Sequence, residues 1–250
     1  MKKTLLAMTL LAGLSTMNAN ATVINFNDST FGGSGVTFDS IDWTPDTAKV
    51  VQTDTGNGTI FGGQADLFQE TGSTFLVNFL NSNAPQTGVL PYATFLDYAF
   101  GGTVSAVTLG STAYLNVAFN SGTALLKAVY NSVETVLGTF NLEGGDCLIS
   151  TKSTTGSCLI GMSFTATPGY FSYQGIDLAT FGPVNSKSDL IVTVQNIKGL
   201  NPSYSAPGAS QEFTINHDGN QTFTVSEPTT LGVLGLGLLA LGVSRRKQAA

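Results

Sequence analysis

Few residues in this chain are able to do chemistry, and their spacing limits what they can do. The sequence holds one histidine, His217, followed by Asp218. Nucleophilic hydrolysis needs a base beside the nucleophile and a third group to orient that base. No serine sits in a Gly-x-Ser-x-Gly elbow, and His217 falls among turn-forming residues, so it reads as a residue flanking a turn. Zinc needs three or four N, S or O ligands at close spacing, more than one histidine and two cysteines supply. No Gly-Lys-Ser/Thr is present to cradle a phosphate, and no G-x-G-x-x-G opens a helix.

Carboxylates are more plentiful. Between Thr22 and Val225 there are fifteen Asp or Glu, five Lys and no Arg, a formal charge near −10. That balance excludes nucleic acid as a partner, because phosphate neutralisation requires a basic stripe. It suits solubility outside the cell. Two facing acids could hydrolyse a glycosidic bond, but the sequence pairs no two of them. Calcium takes clustered oxygen ligands. Asp39, Asp42 and Asp46 lie close in sequence, as do Glu143 and Asp146. Neither group matches an EF-hand loop, so a structural calcium ion is an option and no other cofactor is expected. Trp43, Tyr170 and Tyr173 are candidate carbohydrate contacts. Their alternative role is as ordinary strand aromatics.

The elements that must position these residues are strands. Only 10% of residues are charged, against about 25% in a typical soluble domain. Glycine (29) and phenylalanine (16) are abundant, which suits short strands joined by turns. Met1–Ala21 has the parts of a secretory signal: Lys2-Lys3, the apolar Thr4–Leu14 and the small-x-small Ala19-Asn20-Ala21. The mature chain would start near Thr22. In an oxidising compartment Cys147 and Cys158 are expected to form a disulfide across a hairpin end, Leu148–Ser157. The expected fold of residues 22–225 is one all-β domain, an antiparallel β-sandwich or jelly roll. A signal helix (1–21) and a short C-terminal transmembrane helix (within 226–250) flank it.

Some segments can be specified further. Asp66–Leu80 reads as a hairpin around Thr71-Gly72-Ser73. Gly122–Leu142 has helical spacing but also reads as two strands around Asn131-Ser132, and its β-branched and aromatic content favours strands. Leu190–Val194 reads as a central, well-buried strand. Gln211–His217 and Gln221–Val225 read as arms of a last hairpin. For Phe213 and Ile215 to share a face with Phe223 and Val225, its loop must be odd, most simply Asp218-Gly219-Asn220.

The last residues carry the clearest signal. Leu231–Val243 is an apolar run of thirteen residues, about 20 Å as a helix, short for a bilayer core of about 30 Å. Gly232, Gly235, Gly237 and Gly242 weaken it further. Arg245-Arg246-Lys247 would stay on the cytoplasmic side. Such a span suits a temporary anchor. The order of Ser226-Glu227-Pro228, a glycine-and-leucine-rich run and Arg245-Arg246-Lys247 resembles the tail of PEP-CTERM proteins, with Ser226 where that family has its first proline. The resemblance implies recognition by an exosortase, a membrane protease-transpeptidase of Gram-negative bacteria that make exopolysaccharide. Cleavage near the motif would follow, then release or attachment at the cell surface. The body is loosely similar to members associated with flocculation and biofilm matrix.

The functional expectation is therefore a non-enzymatic surface or matrix protein associated with exopolysaccharide. The alternatives are a secreted carbohydrate-binding module and a polysaccharide hydrolase. Its processing partners would be signal peptidase and exosortase, and the membrane would hold it only before processing. Intact-mass spectrometry of the exported protein should show a chain lacking residues beyond about Pro228; finding Arg245 still attached would refute sorting through the tail.

Overall fold

Apolar and polar residues alternate along much of this chain, and each alternating run forms a strand with one face turned inward. The structure, a computed structural model, describes residues 22–56, 64–86, 91–201 and 208–226. In chain order its strands are β1 (Ile24–Phe26), β2 (Val36–Phe38), β3 (Ser40–Trp43), β4 (Asp46–Thr53), β5 (Asp66–Asn81), β6 (Ala84–Pro85), β7 (Ala93–Leu109), β8 (Thr112–Tyr130), β9 (Val133–Ser150), β10 (Gly156–Ala166), β11 (Phe171–Tyr173), β12 (Ile176–Asp177), β13 (Ser186–Lys198) and β14 (Ser210–Val225). The signal segment and the tail from Glu227 onward lie outside the described residues.

The all-β, antiparallel expectation holds, with sandwich-like packing of facing layers around one core. Hydrogen bonding also runs round both edges. Strands β5, β7, β8, β9, β10, β13 and β14 each pair antiparallel with the next. β14 then pairs with β4 along its first half and with β3 further on. Both β3 and β4 pair with β5. Laid end to end, β3 and β4 fill one stave and close a ring of eight.

A second, four-stranded sheet in the order β12-β11-β1-β2 plugs one end of the ring. Its Phe26, Phe38 and Phe171 pack against Phe79, Phe164 and Phe223 of the barrel, with Phe26 stacked on Phe171 at 4.9 Å between centroids. Phe140 and Phe164 stack at 4.5 Å behind them. This aromatic cluster fills the plugged half. The outer face carries Lys49–Glu212 (2.7 Å), Lys127 held by Asp97 and Glu134 (both 2.8 Å), and Lys187 paired with Glu143. The outer face also exposes apolar side chains such as Leu67, Phe75, Leu159 and Ile191, and the buried face of the strands is mostly apolar. Among the described residues no helix is long and apolar enough to cross a membrane.

Four local expectations can be checked. Gly122–Leu142 is two strands, β8 and β9, joined at Asn131-Ser132, whose φ values of 51° and 62° fit a two-residue hairpin turn. Asp66–Leu80 is not a hairpin. It is one strand, because β7 pairs straight through Thr71-Gly72-Ser73, while β4 pairs with the residues up to Thr71 and β3 with those from Leu76 on. The last hairpin is also a single strand, β14. The odd-numbered row that appeared to need a loop continues straight through Gly219 and keeps one face inward throughout. Leu190–Val194 is central but buried on one side only: Leu190, Val192 and Val194 point in, while Ile191 is exposed.

The cysteines form the expected disulfide, directly opposite each other on β9 and β10 and buried in the wall. Replacing both by alanine should lower stability by about 3 kcal/mol, the chain-entropy cost of releasing a loop of this length. Phe164→Ala should cost about 3–5 kcal/mol by emptying the aromatic plug. Urea denaturation measures both; a change within about 0.5 kcal/mol, ordinary for a surface substitution, would contradict either assignment.

Candidate functional site inside the barrel

The inward row of β14 reads Phe213, Ile215, His217, Gly219, Gln221, Phe223. His217 is therefore an interior residue in mid-strand and not a turn-flanking one. The elements beside it bring three acidic or phenolic groups to the same height. β5 supplies Glu70, β7 supplies Tyr98, and Asp46 opens β4 opposite His217. Tyr98 Oη donates to Asp46 Oδ2 at 2.8 Å. The same oxygen is 2.9 Å from His217 Nε2, which also lies 3.4 Å from Glu70 Oε1. A phenol has one hydrogen; with it given to Asp46, the oxygen accepts from Nε2–H. Gly72 faces Tyr98 across the ladder, and a side chain there would occupy the position of the phenol oxygen.

Two further polar networks are built into the wall. Trp43 Nε1 donates to Gln221 Oε1 (3.2 Å), and Gln221 Nε2 donates to Ser188 Oγ (3.0 Å). Gln52 Nε2 donates to Asp66 Oδ2 (2.9 Å), while Gln211 Nε2 donates to Gln52 Oε1 (3.0 Å). Gln52, Asp66 and Gln221 are fully buried, and each has such a partner, as buried polar groups require.

Beyond the aromatic plug the barrel is hollow. Phe68, Phe100, Phe119, Ile149, Val192 and Phe213 line the cavity, and Glu70, Tyr98 and His217 border it. The cavity volume is about 60 Å³, where one water needs about 10–15 Å³.

The surroundings set the protonation of this cluster. Burial works to lower the His217 pKa. The hydrogen bond and charge of Glu70, with the charges of Asp46 and Asp218, outweigh burial and raise it above the ordinary value. Burial, joined by the charges of Glu70 and Asp46, pushes the Tyr98 phenol far above its ordinary range, so it stays neutral and serves as a donor. Among the described residues the only hydroxyl bonded to His217 is this phenol, which those same carboxylates keep from ionising.

The remaining candidate residues fall in different places. Trp43, read as a carbohydrate contact, is only 2% exposed and borders the cavity, so no face of it is offered on the outer surface. Its indole N–H is committed to Gln221 because a buried donor needs a partner. Tyr170 and Tyr173 are half-buried beside the plug; Tyr170 stacks on Phe31 and Tyr173 meets Phe181 edge-on. Asp39 accepts from Ser82 N and Ser40 Oγ, Asp46 belongs to the histidine cluster, and Glu143 pairs with Lys187. Burial and the nearby charge of Asp218 raise the pKa of Asp42. Among the described residues no three His, Cys, Asp or Glu are grouped to hold a metal ion. Ser226 N donates to Asn185 O at 2.8 Å, while Glu227, Pro228, Arg245, Arg246 and Lys247 lie outside the described residues.

The raised pKa of His217 gives stability a pH dependence of definite sign. A histidine whose pKa is higher folded than unfolded contributes its full stabilisation below the unfolded value of about 6.5. That contribution is lost as pH rises through the folded value. The thermal midpoint should therefore fall as pH is raised from about 6.5, and this part of the slope should be absent in His217→Gln. An unchanged slope in the variant would show that His217 does not titrate as described.

Comparison with known proteins addresses the tail. Residues 224–247 match the family model of the PEP-CTERM protein-sorting motif. No curated protein and no solved structure matches the chain. The match begins inside β14, at its last two residues. The chain therefore carries a PEP-CTERM protein-sorting motif, which indicates export and exosortase-dependent sorting to the surface of a Gram-negative bacterium.

Proposed function

We propose that this chain is a non-enzymatic surface or matrix protein that associates with extracellular polysaccharide, in the setting of biofilm or flocculation. The observation that carries the non-enzymatic part is the commitment of the one histidine. His217 Nε2 is held by a phenol and a carboxylate, whereas nucleophilic catalysis needs the base beside an activatable hydroxyl or thiol. The buried disulfide takes both thiols out of such a role. The sorting signal supports the location, since its recognition by exosortase delivers the barrel to the surface on which exopolysaccharide accumulates.

Carbohydrate binding through an exposed aromatic is the second reading. Tyr173 favours it: the ring is half-buried, and its hydroxyl accepts from the exposed Gln174 at 2.8 Å. Trp43 is not available for that role on the outer surface. The exported protein should co-sediment with the host's own polysaccharide and release no reducing ends from it. Release of reducing ends would establish a hydrolase, and failure to co-sediment would overturn the polysaccharide reading. Loss of co-sedimentation in Tyr173→Ala alone would favour the binding-module form.

A further inference from the structure

We propose that the hollow half of the barrel binds a small, elongated apolar molecule carrying a cationic or hydrogen-bond-donating head, an alkylammonium or alcohol. The inference is independent of polysaccharide binding, which concerns the outer surface. Eight-stranded barrels are wide enough either to be filled by their own side chains or to hold one small ligand. This barrel does both. Its plugged half is packed with phenylalanine, and its other half is left open.

The shape is set by the wall. On β7 alone the lining runs from Leu96 to Val104, about 27 Å of strand. The lining thus extends along the strands and not across a single level of the barrel. Its surface is almost wholly aliphatic and aromatic, and apolar cavities of this kind take small apolar molecules in preference to water.

The head is specified by what borders the cavity. Glu70 Oε1 faces His217, but Oε2 has no hydrogen-bond partner among the described residues. Glu70 is 8% exposed and borders the cavity. Asp46 adds a second carboxylate at the same height, reached through Tyr98. Even with His217 protonated, the cluster of Glu70, Asp46 and His217 carries a net negative charge. A donor or cation placed against Glu70 Oε2 gains a charge-assisted hydrogen bond. A carboxylate head would lie against like charge. The structure therefore selects against a fatty acid and in favour of an amine or alcohol of the same length.

Hexylammonium, 1-hexanol and hexanoate share one hexyl body and differ only in the head, so they form the test set. Calorimetric titration and thermal shift of the exported protein should show hexylammonium and 1-hexanol binding, with hexanoate weaker by about tenfold or more. Glu70→Gln should remove about tenfold of the preference for hexylammonium over 1-hexanol. Val117→Phe and, separately, Val192→Phe add bulk to the lining and should abolish binding of both. A cooperative melt of each variant checks that it is folded. If none of the three probes binds the unaltered protein at millimolar concentration, the site does not exist. Binding that persists in both folded filling variants would place the ligand outside the cavity. Hexanoate binding as tightly as hexylammonium would overturn the assignment of the head.

Discussion

The structure depends on the closure of its hydrogen-bonded ring through β14. An open sheet leaves a row of unpaired N–H and C=O groups at each edge, which invites pairing with other chains. Here β14 bonds to β13 on one side and to β4 and β3 on the other, so the long strands are paired on both sides over most of their length. The closing contacts join residues 46–53 to residues 210–217. They are among the least local in the chain and carry a high loop-closure cost before they contribute. Interior burial follows from them. Only a closed ring gives Phe213, Ile215 and Phe223 opposing walls to pack against, and only then does the aromatic plug have a barrel to fill.

Much of this was legible in the sequence because side-chain period two is a local property. The strand reading of 122–142, the Asn131-Ser132 turn and the cysteine pair all follow from residues close together in the chain. What misled was glycine. Thr71-Gly72-Ser73 and Asp218-Gly219-Asn220 have the composition of turns, yet each lies within a sixteen-residue strand. In a strand interior glycine can mark a close approach instead. Gly72 leaves room for the Tyr98 phenol, and a Cβ on Gly219 would sit 3.2 Å from the Leu190 side chain. That role depends on residues from other strands, which the local sequence does not reveal. The length of these strands, well beyond the usual five or six residues, made division into hairpins the natural reading.

The candidate site was less legible, for the same reason. One signal was present: His217 stands in register with Phe213, Ile215, Gln221 and Phe223, all buried. That row alone argues for an interior histidine. Its partners could not have been named, because Glu70, Tyr98 and Asp46 come from three other strands whose alignment with β14 is fixed only by ring closure. Trp43 shows the converse. A single tryptophan in a secreted β protein suggests a stacking platform, but its packing and its bond to Gln221 make it part of the wall.

The two ends of the described body meet at the plug. Thr22 N donates to Phe223 O at 2.7 Å, and Val225 N donates to Thr22 Oγ1 at 3.0 Å. The described body thus both begins and ends at the filled end of the barrel, while the turns joining β7 to β8 and β9 to β10 stand at the other. Removal of the sorting segment therefore acts at the packed end of the barrel and leaves every residue that lines the cavity in place.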